Sequence, residues 1–133
     1  MEQYLQFLAP FLAPVIIILV FALSFKKRNA LLDRERGLTP IHTETCGGKF
    51  NYVNFSWPFV RLALYNDFMV ISYWQQLLLN YHEIEKVEYK QPLGQKYLQI
   101  FHKKTDTPKK ILIITKNAEQ IANIINSKIN YSR

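Results

Sequence analysis

At 133 residues the chain holds at most one ordinary domain plus an appendage, and 17 Lys and Arg against 10 Asp and Glu leave a net charge of +7. A single cysteine, Cys46, excludes a disulfide framework or a thiolate zinc site within one chain. The apolar fraction of 49% is ordinary, but its longest uninterrupted stretch lies within the first 25 residues.

Phe7–Phe25 reads FLAPFLAPVIIILVFALSF and carries no charged side chain. A bilayer core takes about 20 apolar residues of helix, and with Tyr4 and Leu5 the run is long enough. Pro10 and Pro14 are expected to bend it near its N-terminal end. A cleaved signal peptide wants a basic start and a small-x-small site, whereas this chain offers Glu2 and Ser24-Phe25-Lys26. The remainder is too small to wrap an all-round apolar helix as its core. Residues 1–25 are therefore expected to be a transmembrane helix that stays. Lys26, Lys27 and Arg28 follow it and no Lys or Arg precedes it. The positive-inside rule then predicts a single-pass protein, N-terminus outside, C-terminal domain on the cytosolic (or stromal or matrix) side. A lone thiol fits that reducing side.

Residues 26–40 read as a basic juxtamembrane neck, with Lys26, Lys27, Arg28, Arg34 and Arg36 expected at the membrane surface. Ala30–Arg36 is expected to continue the helix for two turns, with Gly37 as its stop and Pro40 as a block. This neck is short and stiff, so the domain is expected close to the membrane.

From Ile41 the pattern switches to strands with turn punctuation. Thr43–Cys46 and Lys49–Asn54 are β-prone, with a bulge or bend at Gly47-Gly48. Ser56-Trp57-Pro58 reads as a turn. Val60–Tyr65 and Phe68–Tyr73 read as strands joined by the tight turn Asn66-Asp67. Gln76–Tyr81, Ile84–Lys90, Lys96–Lys103 and Lys110–Thr115 follow, with turns at Pro92-Leu93-Gly94 and Thr105–Pro108. The period then changes. In NAEQIANIINSKI, Ala118, Ile121, Ala122, Ile125 and Ile129 fall on one helical stripe, with Asn117 and Gln120 as a box-like cap. Residues 41–133 are thus expected to form one mainly β domain, a seven-stranded antiparallel bent sheet or open barrel capped by a C-terminal α-helix.

That layout, with WPFVRLALYNDFMVIS, then LLLNYHEIEKVEY and later LQIFHKK and PKKILIIT, resembles bacterial PH-like domains of the pleckstrin-homology superfold. The resemblance runs from Gly48 to about Ile129 and rests on core patterning, so it speaks to fold more than to activity. Phosphoinositide-binding PH domains carry a Lys-x(n)-Lys/Arg-x-Arg pattern across their first hairpin. Lys49 and Arg61 stand in that region here, and Leu62-Ala63 break the pattern.

No catalytic constellation emerges. His42, His82 and His102 sit on separate segments without a second ligand at metal spacing. Cys46 and His42 lie far apart along one strand face. Glu83, Glu85 and Glu88 form an acidic cluster with no pocket implied behind it, and Gly47-Gly48 is too short for a phosphate loop. No enzyme activity, metal or cofactor is expected. The neutral, Asn-rich terminal helix argues against nucleic acid. Lys103, Lys104, Lys109 and Lys110 flank the TDTP turn and are candidate contacts for anionic lipid or an acidic partner. Trp57, Phe59, Tyr73 and Trp74 fall near turns, where aromatics anchor at membrane or protein interfaces. The expected function is a membrane-held interaction or scaffold module, an accessory subunit or assembly factor of a membrane complex. It meets a membrane-protein partner through the helix or the domain. The alternative is an anionic-lipid-binding module that docks through the Lys103–Lys110 hairpin.

Overall fold

The computed structural model describes residues 2–132. Helix α1, Glu2–Asn29, runs on through Pro10 and Pro14, with Glu2 in its first turn and Lys26, Lys27 and Arg28 in its last. These charges complement the helix dipole at both ends. The helix is long and apolar enough to cross a membrane, and none of its residues is buried.

The neck departs from expectation. α1 ends at Asn29, and a single 3₁₀ turn, Asp33–Glu35, replaces the two further α-turns expected over Ala30–Arg36. Leu32 is extended, and its N–H donates to the Glu35 carboxylate at 2.8 Å. The carbonyls that a longer helix would have used are taken by side chains of the domain, described below. Gly37 follows the turn with a φ of +79°, a left-handed conformation that glycine adopts without strain.

Seven strands follow: β1 (His42–Phe50), β2 (Val53–Leu64), β3 (Phe68–Ser72), β4 (Gln76–Asn80), β5 (Ile84–Lys90), β6 (Tyr97–His102) and β7 (Ile111–Ile114). They form one antiparallel sheet in the order β4-β3-β2-β1-β7-β6-β5. Helix α2, Ala118–Ser132, packs against β5, β6 and the 3₁₀ turn Tyr81–Glu83. The expected stripe of Ala118, Ile121, Ala122, Ile125 and Ile129 is buried against the inward face of the curled sheet, with Leu62, Leu64, Ile71, Leu98, Ile100, Ile111 and Ile113. Asn126 fixes the register of α2 on β5. Its amide donates to the Val87 carbonyl at 3.0 Å and accepts from the Val87 N–H at 3.2 Å.

Two strand boundaries differ from the sequence reading. Lys49–Asn54 is not one strand, because the chain reverses at Asn51-Tyr52, with Asn51 at a φ of +56°. Asparagine tolerates that region better than most residues. Ser56-Trp57-Pro58 is not a reversing turn but lies within β2. The pairing steps from Cys46↔Val60 to Gly48↔Phe55, so β2 carries extra residues there and swings out of the ladder before resuming it. A proline fits because its missing N–H falls where the ladder is already interrupted. Opposite this excursion, a Cβ on Gly47 would stand 2.9 Å from the Phe55 carbonyl oxygen and 3.2 Å from the Trp57 nitrogen. Glycine is what permits the approach.

The outer face of the sheet is covered over β2 and β3. Ala63, Tyr65, Phe68 and Val70 form a second buried cluster, packed against Leu32 from the neck and Leu78 from β4. The neck is therefore a layer of the domain.

Candidate functional site

The last turn of a helix leaves its carbonyls without partners inside the helix. At the end of α1 and at Ala30 just past it, such carbonyls are met by three different strands. Ser72 Oγ on β3 donates to the Lys27 carbonyl at 3.1 Å, and Arg61 Nε on β2 donates to the Arg28 carbonyl at 2.9 Å. The Ala30 carbonyl accepts from Arg61 Nη2 at 3.2 Å and from the Gln76 amide on β4. The same Arg61 guanidinium forks onto Glu35, with Nη1 to Oε1 at 2.9 Å and Nη2 to Oε2 at 3.2 Å. Tyr65 Oη also donates to Glu35, at 2.9 Å. The Glu35 side chain has 0% exposure and that of Arg61 has 13%. Burial alone would push the Glu35 pKa up; the hydrogen bonds from Arg61, Leu32 and Tyr65 and the charge of Arg61 outweigh it, and the carboxyl sits below its ordinary range. Tyr65 is raised, first by burial and then by donating to Glu35. Above the clamp, Phe59 packs against Phe21 and Phe25 of α1, with ring centroids 5.2 and 5.6 Å apart.

The basic neck residues divide between solvent and domain. Lys26 and Lys27 are exposed. Arg28 turns onto the Phe25 ring at 5.2 Å and donates to Thr45 at 3.2 Å. Arg34 lies 4.2 Å above the Phe68 ring and donates to Asn80 at 2.5 Å. Arg36 pairs with Asp33 at 3.6 Å in solvent.

Three turns gather at one end of the sheet, beside the last apolar turns of α1. The β6–β7 turn is tied to the β1–β2 turn, with Asn51 N–H to the Lys110 carbonyl at 2.8 Å and Lys110 N–H to Asn51 Oδ1 at 3.2 Å. Pro108, Tyr52 and Trp74 of the β3–β4 turn line one shared hollow. Val53, Phe55 and Trp74 in turn share a cleft with Val20, Phe21 and Ser24 of α1. Trp57 is 70% exposed and Trp74 60%. The TDTP turn presents Lys103, Lys109 and Lys110 to solvent. Lys104 is drawn away from that group, its ammonium donating to the Leu78 carbonyl at 2.6 Å. His102 braces the turn, donating from Nε2 to the Pro108 carbonyl at 2.7 Å and accepting the Lys104 N–H at Nδ1.

The other polar groups singled out by sequence are held in structural roles. Glu44 accepts from His42 at 2.9 Å, Thr115 at 2.9 Å and Asn117 at 3.0 Å, joining β1 to the start of α2. Glu83 caps its 3₁₀ turn through the Asn80 N–H, and Glu88 sits between Lys86 and Lys90 on the surface. Cys46 is buried, its thiol donates to the Val60 carbonyl, and burial pushes its pKa up to about 12, leaving no thiolate at neutral pH. Among the described residues no group of three or more His, Cys, Asp or Glu is placed to hold a metal ion. The clamp of Glu35, Arg61, Ser72 and Gln76 escaped the sequence reading. Its one local signal is Arg61 itself, a charge inside the apolar run FVRLALY that needs a buried partner.

No protein-family model and no curated protein sequence matches the chain. Among solved structures, the Vps36 N-terminal PH domain aligns with a TM-score of 0.56 at 12% identity, covering 79% of this chain and 87% of that one. The likeness is one of fold. The curled seven-stranded sheet closed by α2 is a PH-like fold.

Proposed function

We propose that this chain is a non-enzymatic, single-pass membrane protein that holds a PH-like interaction module against one face of a bilayer. One observation carries the reading: the apolar run of α1 holds no buried residue, yet the end of the helix and Ala30 just past it are bonded to three strands of the domain. A helix left this bare in water exposes an apolar surface that soluble proteins avoid, whereas a bilayer satisfies it. The basic flank of Lys26, Lys27 and Arg28 supports an orientation with the domain on the cytosolic side or its organellar equivalent and the N-terminus outside. The module recruits a membrane-protein partner, as an accessory subunit or assembly factor. In the full chain expressed in membranes, α1 resists extraction by alkaline carbonate, and protease digests the domain only from the cytosolic face. Release by carbonate, or digestion only from the opposite face, defeats the reading. Purification in gentle detergent should retain a membrane-protein partner; a strictly monomeric sample under several conditions counts against the scaffold role.

A second reading has its own support. The Asn51–Lys110 bonds hold the lysine-bearing turn at the end of the sheet that adjoins α1. Lys103, Lys109 and Lys110 then face anionic headgroups, each contributing about 1 kcal/mol near the surface. Vesicle binding by a chain lacking the span separates the readings, since affinity indifferent to lipid charge and salt removes the lipid role.

A further inference from the structure

Two clefts open where α1 passes the turns of the domain. One, of about 310 Å³, is walled by Val20 and Phe21 on the helix side and by Val53, Phe55, Phe59 and Trp74 on the domain side. The other, of about 340 Å³, shares Val20, Ser24 and Trp74 and ends at Lys27. Each lies at the lower end of the range for small-molecule sites, about 300–1,000 Å³. The domain wall is firm: Phe55 meets Trp74 edge-on at 5.1 Å and Tyr73 at 5.0 Å, and Tyr73 stacks on Phe50 at 3.9 Å.

Position selects the occupant. Val20 lies about 12 Å up the helix axis from Arg28, well inside the apolar run that ends at Phe25. The clefts therefore open sideways onto the bare surface of α1, where the surroundings are lipid chains if α1 spans a bilayer. Largely apolar walls, interrupted by Ser24, Asn54 and Ser56, lead down to the exposed Lys27, which follows the exposed Lys26 in sequence. This is the layout of one lipid molecule, chain above and charged headgroup below.

Resting on the membrane reading, we infer that these joined clefts seat an anionic glycerophospholipid of the same leaflet. One acyl chain lies between Phe21, Phe59 and Trp74, and the phosphate meets Lys27. The site is distinct from the Lys103–Lys110 turn, because it needs the span as one of its walls.

The test uses the full chain in a Trp57→Phe background, where Trp74 is the single remaining tryptophan. It is reconstituted in vesicles doped with phosphatidylglycerol or phosphatidylcholine brominated along the acyl chain. Brominated phosphatidylglycerol should quench Trp74 at about fivefold lower mole fraction than brominated phosphatidylcholine. Lys27→Gln should bring the two lipids to parity, and Ser24→Phe, which fills the shared wall, should remove the quenching by both. Equal quenching by the two lipids that neither variant changes overturns the site. An unquenched Trp74 in a chain that survives the carbonate wash also overturns it, and leaves the cleft to a protein neighbour. A chain stripped from the vesicles by carbonate takes the membrane reading down with it.

Discussion

Glu35→Gln is the sharpest probe of the joint between helix and domain. The substitution keeps the size of the side chain and removes its charge. Glu35 receives four hydrogen bonds, two from Arg61 and one each from Tyr65 and Leu32, and its side chain is fully buried. Glutamine offers one oxygen in place of two and turns an NH₂ toward donors. Arg61, only 13% exposed, is left with a buried charge and no counter-charge. Breaking one side of a buried pair costs about 3–5 kcal/mol, and the bonds that glutamine can keep place the loss near the lower figure. For a domain of this size that lowers Tm by about 12–24 °C. The assay is thermal unfolding of the full chain in detergent, followed by tryptophan fluorescence. Leu at both Glu35 and Arg61 should be more stable than Glu35→Leu alone, since the stranded guanidinium is then gone. The pH dependence has a definite sign. The Glu35 pKa is lowered in the folded state, so its contribution is complete above the unfolded carboxylate value of about 4.3. It is lost as pH falls through the lower folded value. Glu35→Gln should therefore flatten this part of the acid limb. A Tm shift under about 3 °C, less than one kcal/mol on the same scale, refutes the description of the pair as desolvated and load-carrying for the joint.

Gly47→Ala should cost about 1–3 kcal/mol, the range for forced overpacking, because its Cβ meets the Phe55 and Trp57 backbone; an unchanged Tm would show that the β2 excursion is free to move. Asn126→Leu should cost about 1–3 kcal/mol by stranding both backbone groups of Val87, and hydrogen exchange at the Val87 amide should accelerate; unchanged exchange contradicts the docking described. Cys46, buried and with its pKa raised to about 12, should resist maleimide at pH 7.5 until denaturant is added, and stoichiometric labelling of the native chain within minutes would be incompatible with that burial. Beginning the chain at Ile41 removes Leu32 and Glu35 from the outer cluster, so this fragment should melt well below one beginning at Lys26; equal Tm values would mean the neck adds nothing to the fold.

Features carried by local pattern were legible in the sequence. The Phe7–Phe25 run within α1 carries no charge, α2 shows its stripe, and Asn66-Asp67 and Pro92-Leu93-Gly94 mark their turns. Features set by distant partners were not. Arg61 and Glu35 stand 26 residues apart, so nothing in the neck alone says that helix formation will yield to an extended Leu32 and a 3₁₀ turn. Pro58 signals a turn by itself, and only the interrupted pairing with β1 lets a strand absorb it. One signal was present but under-read. VRLALY and FMVIS do not alternate, and strands that are apolar on both sides are covered on both sides. Leu62 and Leu64 face the core, while Ala63 and Tyr65 lie in the outer cluster beneath the neck. The lysine turn was legible as a cluster, but Lys104's attachment to Leu78 depends on β4, far away in sequence.

That attachment bears on how the molecule avoids its own kind. β4 and β5 stand at the two ends of the strand order, and such borders are templates on which stray chains build further strands. At one border the Lys104 ammonium occupies the Leu78 carbonyl; at the other the Asn126 amide occupies both backbone groups of Val87. Each plug is polar and hydrogen-bonded, and a strand adding at either point would have to displace it. Borders blocked in this way protect the folded chain against fibrous self-association.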